Sequence, residues 1–192
     1  MRAALLFALS TAALAGCAVS SPPVQLYHLR SAAPVAVTTP ASSTLNWQLL
    51  QPVRVPEYLD RDALLVPQGQ SGLLALPGHR WAEPLRDSVP RVLRQDLATL
   101  LGEARVWTAP VPAGVTIARQ VRVELLALEA SADRASVNLR ARWSVIDPSG
   151  AGSARADAVT LNIPSTGSDV DSLVAAHRLA LWRLAERIAA SP

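Results

Sequence analysis

The chain has 192 residues, with 18 basic residues, every one arginine, against 15 acidic ones, and half of it is apolar. A net charge of +3, scattered along the sequence, gives no footprint for a nucleic acid or any other polyphosphate partner. One cysteine excludes an internal disulfide framework and a Cys-rich zinc site. Because 34 residues are alanine and no uninterrupted apolar run approaches the roughly 18 needed to span a bilayer, a polytopic membrane protein is excluded as well.

The first segment reads as an address. Arg2 precedes the apolar stretch from Ala3 to Ala13, and Leu14-Ala15-Gly16-Cys17 follows. A positive start, a short apolar core and small residues before a cleavage point make a secretory signal rather than a spanning helix. Leu-Ala-Gly-Cys matches the bacterial lipobox, with the chain's single cysteine where the lipid chemistry requires it. Residues 1–16 are expected to be removed and Cys17 to carry acyl chains, several of which on one residue make a lasting anchor. Ala18 rather than Asp after the cysteine points to the outer membrane. Residues 17–23 would form a short lipidated tether, and 24–192 a single periplasmic domain close to its membrane.

Val24 to Leu29 alternates apolar and polar residues like a half-buried strand, and Ser31 to Thr44 is a Ser/Ala/Pro/Thr-rich loop. Leu45 to Val55 is strand-like and stops at Pro56. Short strands are predicted at 63–66 and 73–76, across a Gly-Gln-Ser-Gly turn. Trp81, Leu85, Val89, Val92, Leu93, Leu97, Leu100 and Leu101 then recur at helical steps, with Pro84 in the first turn and Gly102 closing the end. Pro90 implies a kink or a helix that begins after Trp81.

A strand at 104–107 leads into the clearest pattern. Val121, Val123 and Leu125 alternate with Gln120, Arg122 and Glu124; Val137, Leu139, Ala141, Trp143 and Val145 alternate with polar residues including Arg140 and Arg142. With turns at Ser131–Arg134 and Asp147–Gly150 and a third strand at 154–163, this predicts an antiparallel meander. In the third strand the apolar parity changes, which predicts a bulge near Ala158. Ser168-x-x-Asp171 resembles a capping box before a last helix carrying Val170, Leu173, His177, Ala180, Leu181, Leu184 and Ile188 on one side. The fold class is therefore α+β: two layers, a largely antiparallel sheet with two main helices on one face.

Catalytic, metal and cofactor motifs are missing. His28, His79 and His177 have no ligand spacing, and no hydrolase elbow or phosphate loop occurs. Glu57, Asp60 and Asp62 lie beside Arg54 and Arg61 in a Pro-bounded loop and read as ion-paired residues rather than acid/base catalysts. Trp81 and Trp143 fall on apolar faces. Trp182 lies next to the apolar side of the last helix, where a half-exposed tryptophan could mark a partner surface.

Several local sequences resemble one family. Leu26-Tyr27-His28-Leu29, Val53-Arg54-Val55-Pro56-Glu57-Tyr58-Leu59-Asp60-Arg61 and Arg80-Trp81-Ala82-Glu83-Pro84-Leu85, in this order behind a lipobox, are similar to the ABC-type transport auxiliary lipoproteins, PqiC-like branch. The resemblance implies a non-enzymatic lipoprotein on the periplasmic face of the outer membrane. It would work with a PqiB-like, inner-membrane-anchored partner bearing MCE (mammalian cell entry) domains, carry phospholipid or other lipid between membranes and so maintain the envelope. A homo-oligomeric ring would suit docking onto a tubular partner, by analogy only. The main alternative is a structural or assembly lipoprotein with no transport partner. For the partner surface the candidates are Tyr58, Leu59, Asp60 and Arg61, held between Pro56 and the next strand; the competing reading has Tyr58 and Leu59 plugging the edge of the core.

Overall fold

The computed structural model describes residues 23–36, 43–150, 152 and 154–191. The signal sequence, the lipobox and Cys17 lie outside the described residues, as do positions 37–42 of the expected loop. Among the described residues eight strands and two α-helices follow in the order β1 (Gln25–Tyr27), β2 (Trp47–Leu49), β3 (Ala63–Gln68), β4 (Gly72–Trp81), α1 (Leu85–Leu101), β5 (Val106–Trp107), β6 (Arg119–Ala130), β7 (Ser136–Ile146), β8 (Arg155–Pro164) and α2 (Val170–Ala189). Single 3-10 turns cover Glu57–Leu59 and Glu103–Arg105. The class is α+β as the sequence predicts, with the strands divided between two sheets: β1-β4-β3 and β5-β2-β6-β7-β8.

The meander β6-β7-β8 forms as its alternation dictates. Val121, Val123 and Leu125 on β6 and Val137, Leu139, Ala141, Trp143 and Val145 on β7 are buried, and antiparallel pairing runs from Gln120↔Ile146 to Ala130↔Val137. Both connecting turns take the expected residues. Asp133 Oδ1 accepts from the Ala135 amide (3.1 Å) and Asp147 Oδ1 from the Ser149 amide (2.9 Å). These side chains hold the backbone in a turn by supplying an acceptor that strand neighbours cannot.

The bulge sits elsewhere than predicted. β7 and β8 pair without interruption from Ser136↔Pro164 to Val145↔Arg155, so Ala158 is regular. The register slips in β6 instead, between Leu125 and Ala127, which leaves Leu126 out of the ladder and 37% exposed. Parity on β8 never needed correcting: Ile163, Leu161 and Val159 face inward, while Ala156 and Ala158 are small enough to stand exposed on the wet face.

Helix α1 begins at Leu85, after Trp81, which is the last residue of β4 and not the first of the helix. Pro84 is its N-cap, and the helix runs through Pro90. Gly102 ends it at φ 111°, a backbone conformation that a Cβ disfavours. Helix α2 is capped one residue later than the Ser168 box predicts: Asp169 accepts from both the amide (2.9 Å) and the hydroxyl (2.7 Å) of Ser172. It packs across β7 and β8 on one side and α1 on the other. Covered from two directions, it buries a wider stripe than one sheet face would require. Trp182, expected at the surface, is 1% exposed, with its indole N–H on Glu186 (2.8 Å).

Candidate docking surface and tether anchorage

Beyond Leu49, strand β2 breaks where Pro52 removes an amide donor. The chain from Leu50 to Arg54 stays against β6 through isolated bonds: Leu50 N–H to Val121 O (2.8 Å), Arg54 N–H to Val123 O (3.3 Å) and Leu125 N–H to Arg54 O (2.9 Å). This irregular wall borders two adjoining grooves. One, of about 460 Å³, runs over the wet face of the meander past Arg122, Arg142, Ser144 and Ala156. The other, of about 570 Å³, runs past Glu57, Asp60, Arg86 and the bulged Leu126. Pro52, Arg54 and Glu124 line both, so they form one trough along the flank of β6.

The trough is mixed, with charged side chains along the meander and an apolar stretch of Val53, Val55, Leu125 and Leu126 beside the 3-10 turn. Arg142 pairs with Glu124 (2.6 Å), while Arg54 and Arg122 stand exposed. Asp60 Oδ2 accepts from Arg86 (2.5 Å), which ties the 3-10 turn to the first turn of α1, but its Oδ1 is buried with no partner among the described residues. A buried carboxylate oxygen without a donor carries an unmet desolvation cost that a bound partner's N–H or O–H would relieve. Leu126 supplies exposed apolar surface beside it.

Of the four loop residues singled out in the sequence, the structure separates three structural ties from one free side chain. Leu59 is 7% exposed and packs in the core. Tyr58 is half-buried and donates its hydroxyl to the Glu129 carboxylate on β6; burial, and then that carboxylate, push its pKa well above the usual tyrosine range. Asp60 holds Arg86. Arg61 is exposed. Tyr58 and Leu59 thus do plug the edge of the core, whereas Asp60 borders the trough. Trp182 is withdrawn from any surface by its burial. Leu126 and Arg86 join the trough without having been foreseen.

Two arginines, Arg91 on α1 less than two turns beyond Arg86 and Arg178 on α2, grip the segment from Leu29 to Ala32. Arg178, on α2 and 5% exposed, makes a two-pronged pair with Asp96 of α1 (2.8 and 2.5 Å) and donates to the carbonyls of Arg30 (2.6 Å) and Ala32 (3.0 Å). Arg91 donates to Ser31 Oγ (2.8 Å) and Leu29 O (3.2 Å) and pairs with Glu83. The planar guanidinium has enough donors to serve a carboxylate and two carbonyls together. Burial outweighs Arg178 at Asp96 and raises its carboxyl to about 6. His177, beside it in sequence, bonds through Nδ1 to Leu173 O (2.8 Å) and meets Trp81 edge-on; burial depresses its pKa to about 4, so it is a neutral core residue. Sequence reasoning missed the clamp, although each partner is a charge inside an apolar stripe: Asp96 between Val92, Leu93 and Leu100, and Arg178 between Val174 and Trp182.

Among the described residues no three His, Cys, Asp or Glu side chains gather in a way that would hold a metal ion, and no helix is long and apolar enough to cross a membrane. Among the described residues the geometry defines a two-sheet α+β domain with the Leu29–Ala32 segment clamped to its helices and a mixed trough along β6. The chain belongs to the family described as the ABC-type transport auxiliary lipoprotein component, which it matches over residues 27–189. No curated protein matches it. Its fold is similar to the crystal structure of an uncharacterized protein (TM-score 0.68, 17% identity, 88% of this chain and 97% of that one). It is also similar to a Xanthomonas campestris protein of the DUF330 family (TM-score 0.63, 16% identity, 86% and 93%). A PelC dodecamer from Paraburkholderia phytofirmans aligns at a TM-score of 0.38 with 14% identity over 76% of this chain and 92% of that one.

Proposed function

We propose that this protein is the outer-membrane lipoprotein of a transenvelope lipid transport system. Cys17 carries the lipid, residues 24–192 work as one non-enzymatic unit on the periplasmic face, and the trough beside β6 receives an MCE-domain partner anchored in the inner membrane. The observation that carries this reading is membership of the transport auxiliary lipoprotein family over residues 27–189. The trough supports it: Asp60 Oδ1 lacks a donor there, and Leu126 is held out of the sheet beside it. From Cys17 to Val24 is seven residues, a reach of roughly 25 Å, so the partner has to come to the domain.

Changing two exposed trough side chains that make no side-chain tie among the described residues, Arg54→Glu with Leu126→Asp, tests the trough. The expected outcome is greater detergent sensitivity of the envelope at normal lipoprotein level and with an unchanged unfolding midpoint. Unchanged sensitivity under those conditions counts against the trough as the docking site.

A further inference from the structure

The β3–β4 hairpin is the part of the molecule that neither the trough nor the clamp uses. From Ala63 to Gly78 it carries no charged residue, and its tip is Gln68-Gly69-Gln70-Ser71-Gly72. Leu73 and Leu74, next to the tip, are 45% and 43% exposed. As consecutive strand residues they point to opposite faces, so the hairpin end leaves apolar surface open on both faces, although Val66, opposite Leu74, is itself buried. A protein partner laid against one face would leave the other leucine in water. A lipid layer that surrounds the hairpin would take both.

The chain's path favours that second environment. β1 runs parallel to β4 with Gln25 opposite His79, so the segment before Gln25 enters from the hairpin's end of the sheet. Val24 and Leu26 there are 54% and 65% exposed, and the sequence from Cys17 to Tyr27 is also uncharged. Cys17 lies within about 28 Å of Gln25, and the hairpin end no more than about 25 Å from it. The anchor and the exposed leucines can therefore meet one membrane surface. We infer that the end of the β3–β4 hairpin, with Leu73 and Leu74, seats in the lipid interface of the membrane that holds Cys17, as a second contact beside the lipid chains; this rests on the anchor proposed above. The tip's glutamines and serine are polar without charge, which suits the headgroup layer, and two leucines suit shallow insertion.

The test uses the intact, processed lipoprotein reconstituted into phosphatidylethanolamine and phosphatidylglycerol vesicles. A polarity-sensitive fluorophore is placed by Leu74→Cys or, as control on the other sheet, by Thr160→Cys, and quenched with nitroxide-labelled lipid. The expected result is a blue-shifted emission and several-fold stronger quenching at position 74 than at 160. Equal, weak quenching at both positions, with mass spectrometry showing lipid on Cys17, overturns the hairpin contact and leaves the anchor standing. A processed protein without lipid on Cys17 overturns the anchor and this inference together.

Discussion

On the five-stranded sheet the solvent face carries Arg122, Arg140, Arg142 and Glu124, whereas the hairpin of the three-stranded sheet has sixteen successive uncharged residues, 63–78, and two leucines exposed at its end. The first surface keeps itself wet through charge and pairs part of that charge internally, as at Arg142–Glu124. The second gives up the protection against edge association that charges would provide. In one small domain, a charged sheet face and an uncharged hairpin end stand on different sheets. The clamp of Arg178 and Arg91 fixes the backbone from Leu29 to Ala32 against both helices.

The comparison can be broken most severely at the clamp. Asp96→Ala leaves Arg178 buried without its counter-charge and is expected to cost about 3–5 kcal/mol by denaturant unfolding, while Asp96→Leu with Arg178→Met recovers most of the loss. Trp182→Ala, at a site the sequence placed near the surface, is expected to cost a similar 3–5 kcal/mol because it empties core volume. A loss below about 1 kcal/mol would return that tryptophan to the surface.

The pH dependence is next in size. His177 has its folded pKa depressed to about 4, so its contribution to stability is full above the unfolded value near 6.5 and is lost as pH falls toward 4. Asp96 is raised to about 6, so the native state holds that proton more tightly than the unfolded chain and its contribution grows as pH falls through the same range. The two slopes oppose each other. Relative to the unchanged protein, His177→Leu is expected to gain on the order of 3 kcal/mol between pH 7 and pH 4 in unfolding measurements. A parallel pH profile would mean that His177 is charged when buried.

Smaller effects sharpen the contrast. Asp169→Ala removes the α2 cap and is expected to lower stability by about 1 kcal/mol. Leu73→Ser with Leu74→Ser is expected to cost no more than about 1 kcal/mol in unfolding, since both side chains are nearly half exposed at the hairpin end, even though Leu74 pairs with the buried Val66. A larger loss would assign the leucines to the core and remove the difference between the two sheets.

What the sequence revealed depended on how local the determining interactions are. The meander was legible because Val121 to Leu125 and Val137 to Val145 alternate over many residues and Asp133 and Asp147 close their own turns. The bulge was misplaced because the alanines of β8 were counted as inward-facing. The adjacent Leu125 and Leu126, where the apolar parity of β6 changes, were the better signal. The division into two sheets was not legible: three residues at Gln25–Tyr27 carry too little pattern to select a parallel partner more than fifty positions away. Of the candidate site, Asp60 was found and Leu126 missed, because the trough is made by the failure of β2 to continue past Pro52 and no periodicity records that. The clamp needed two helices to be known together, since a single charge in an apolar stripe has no visible partner until α1 and α2 pack.

The central claim is that the trough beside β6 receives the transport partner, and crosslinking in living cells tests it most directly. A photoactivatable residue at Leu126, compared with one at Thr160 on β8, is predicted to capture an MCE-domain protein from position 126 and not from 160. Equal capture from both positions, or capture from 126 of outer-membrane assembly proteins alone, would contradict the account.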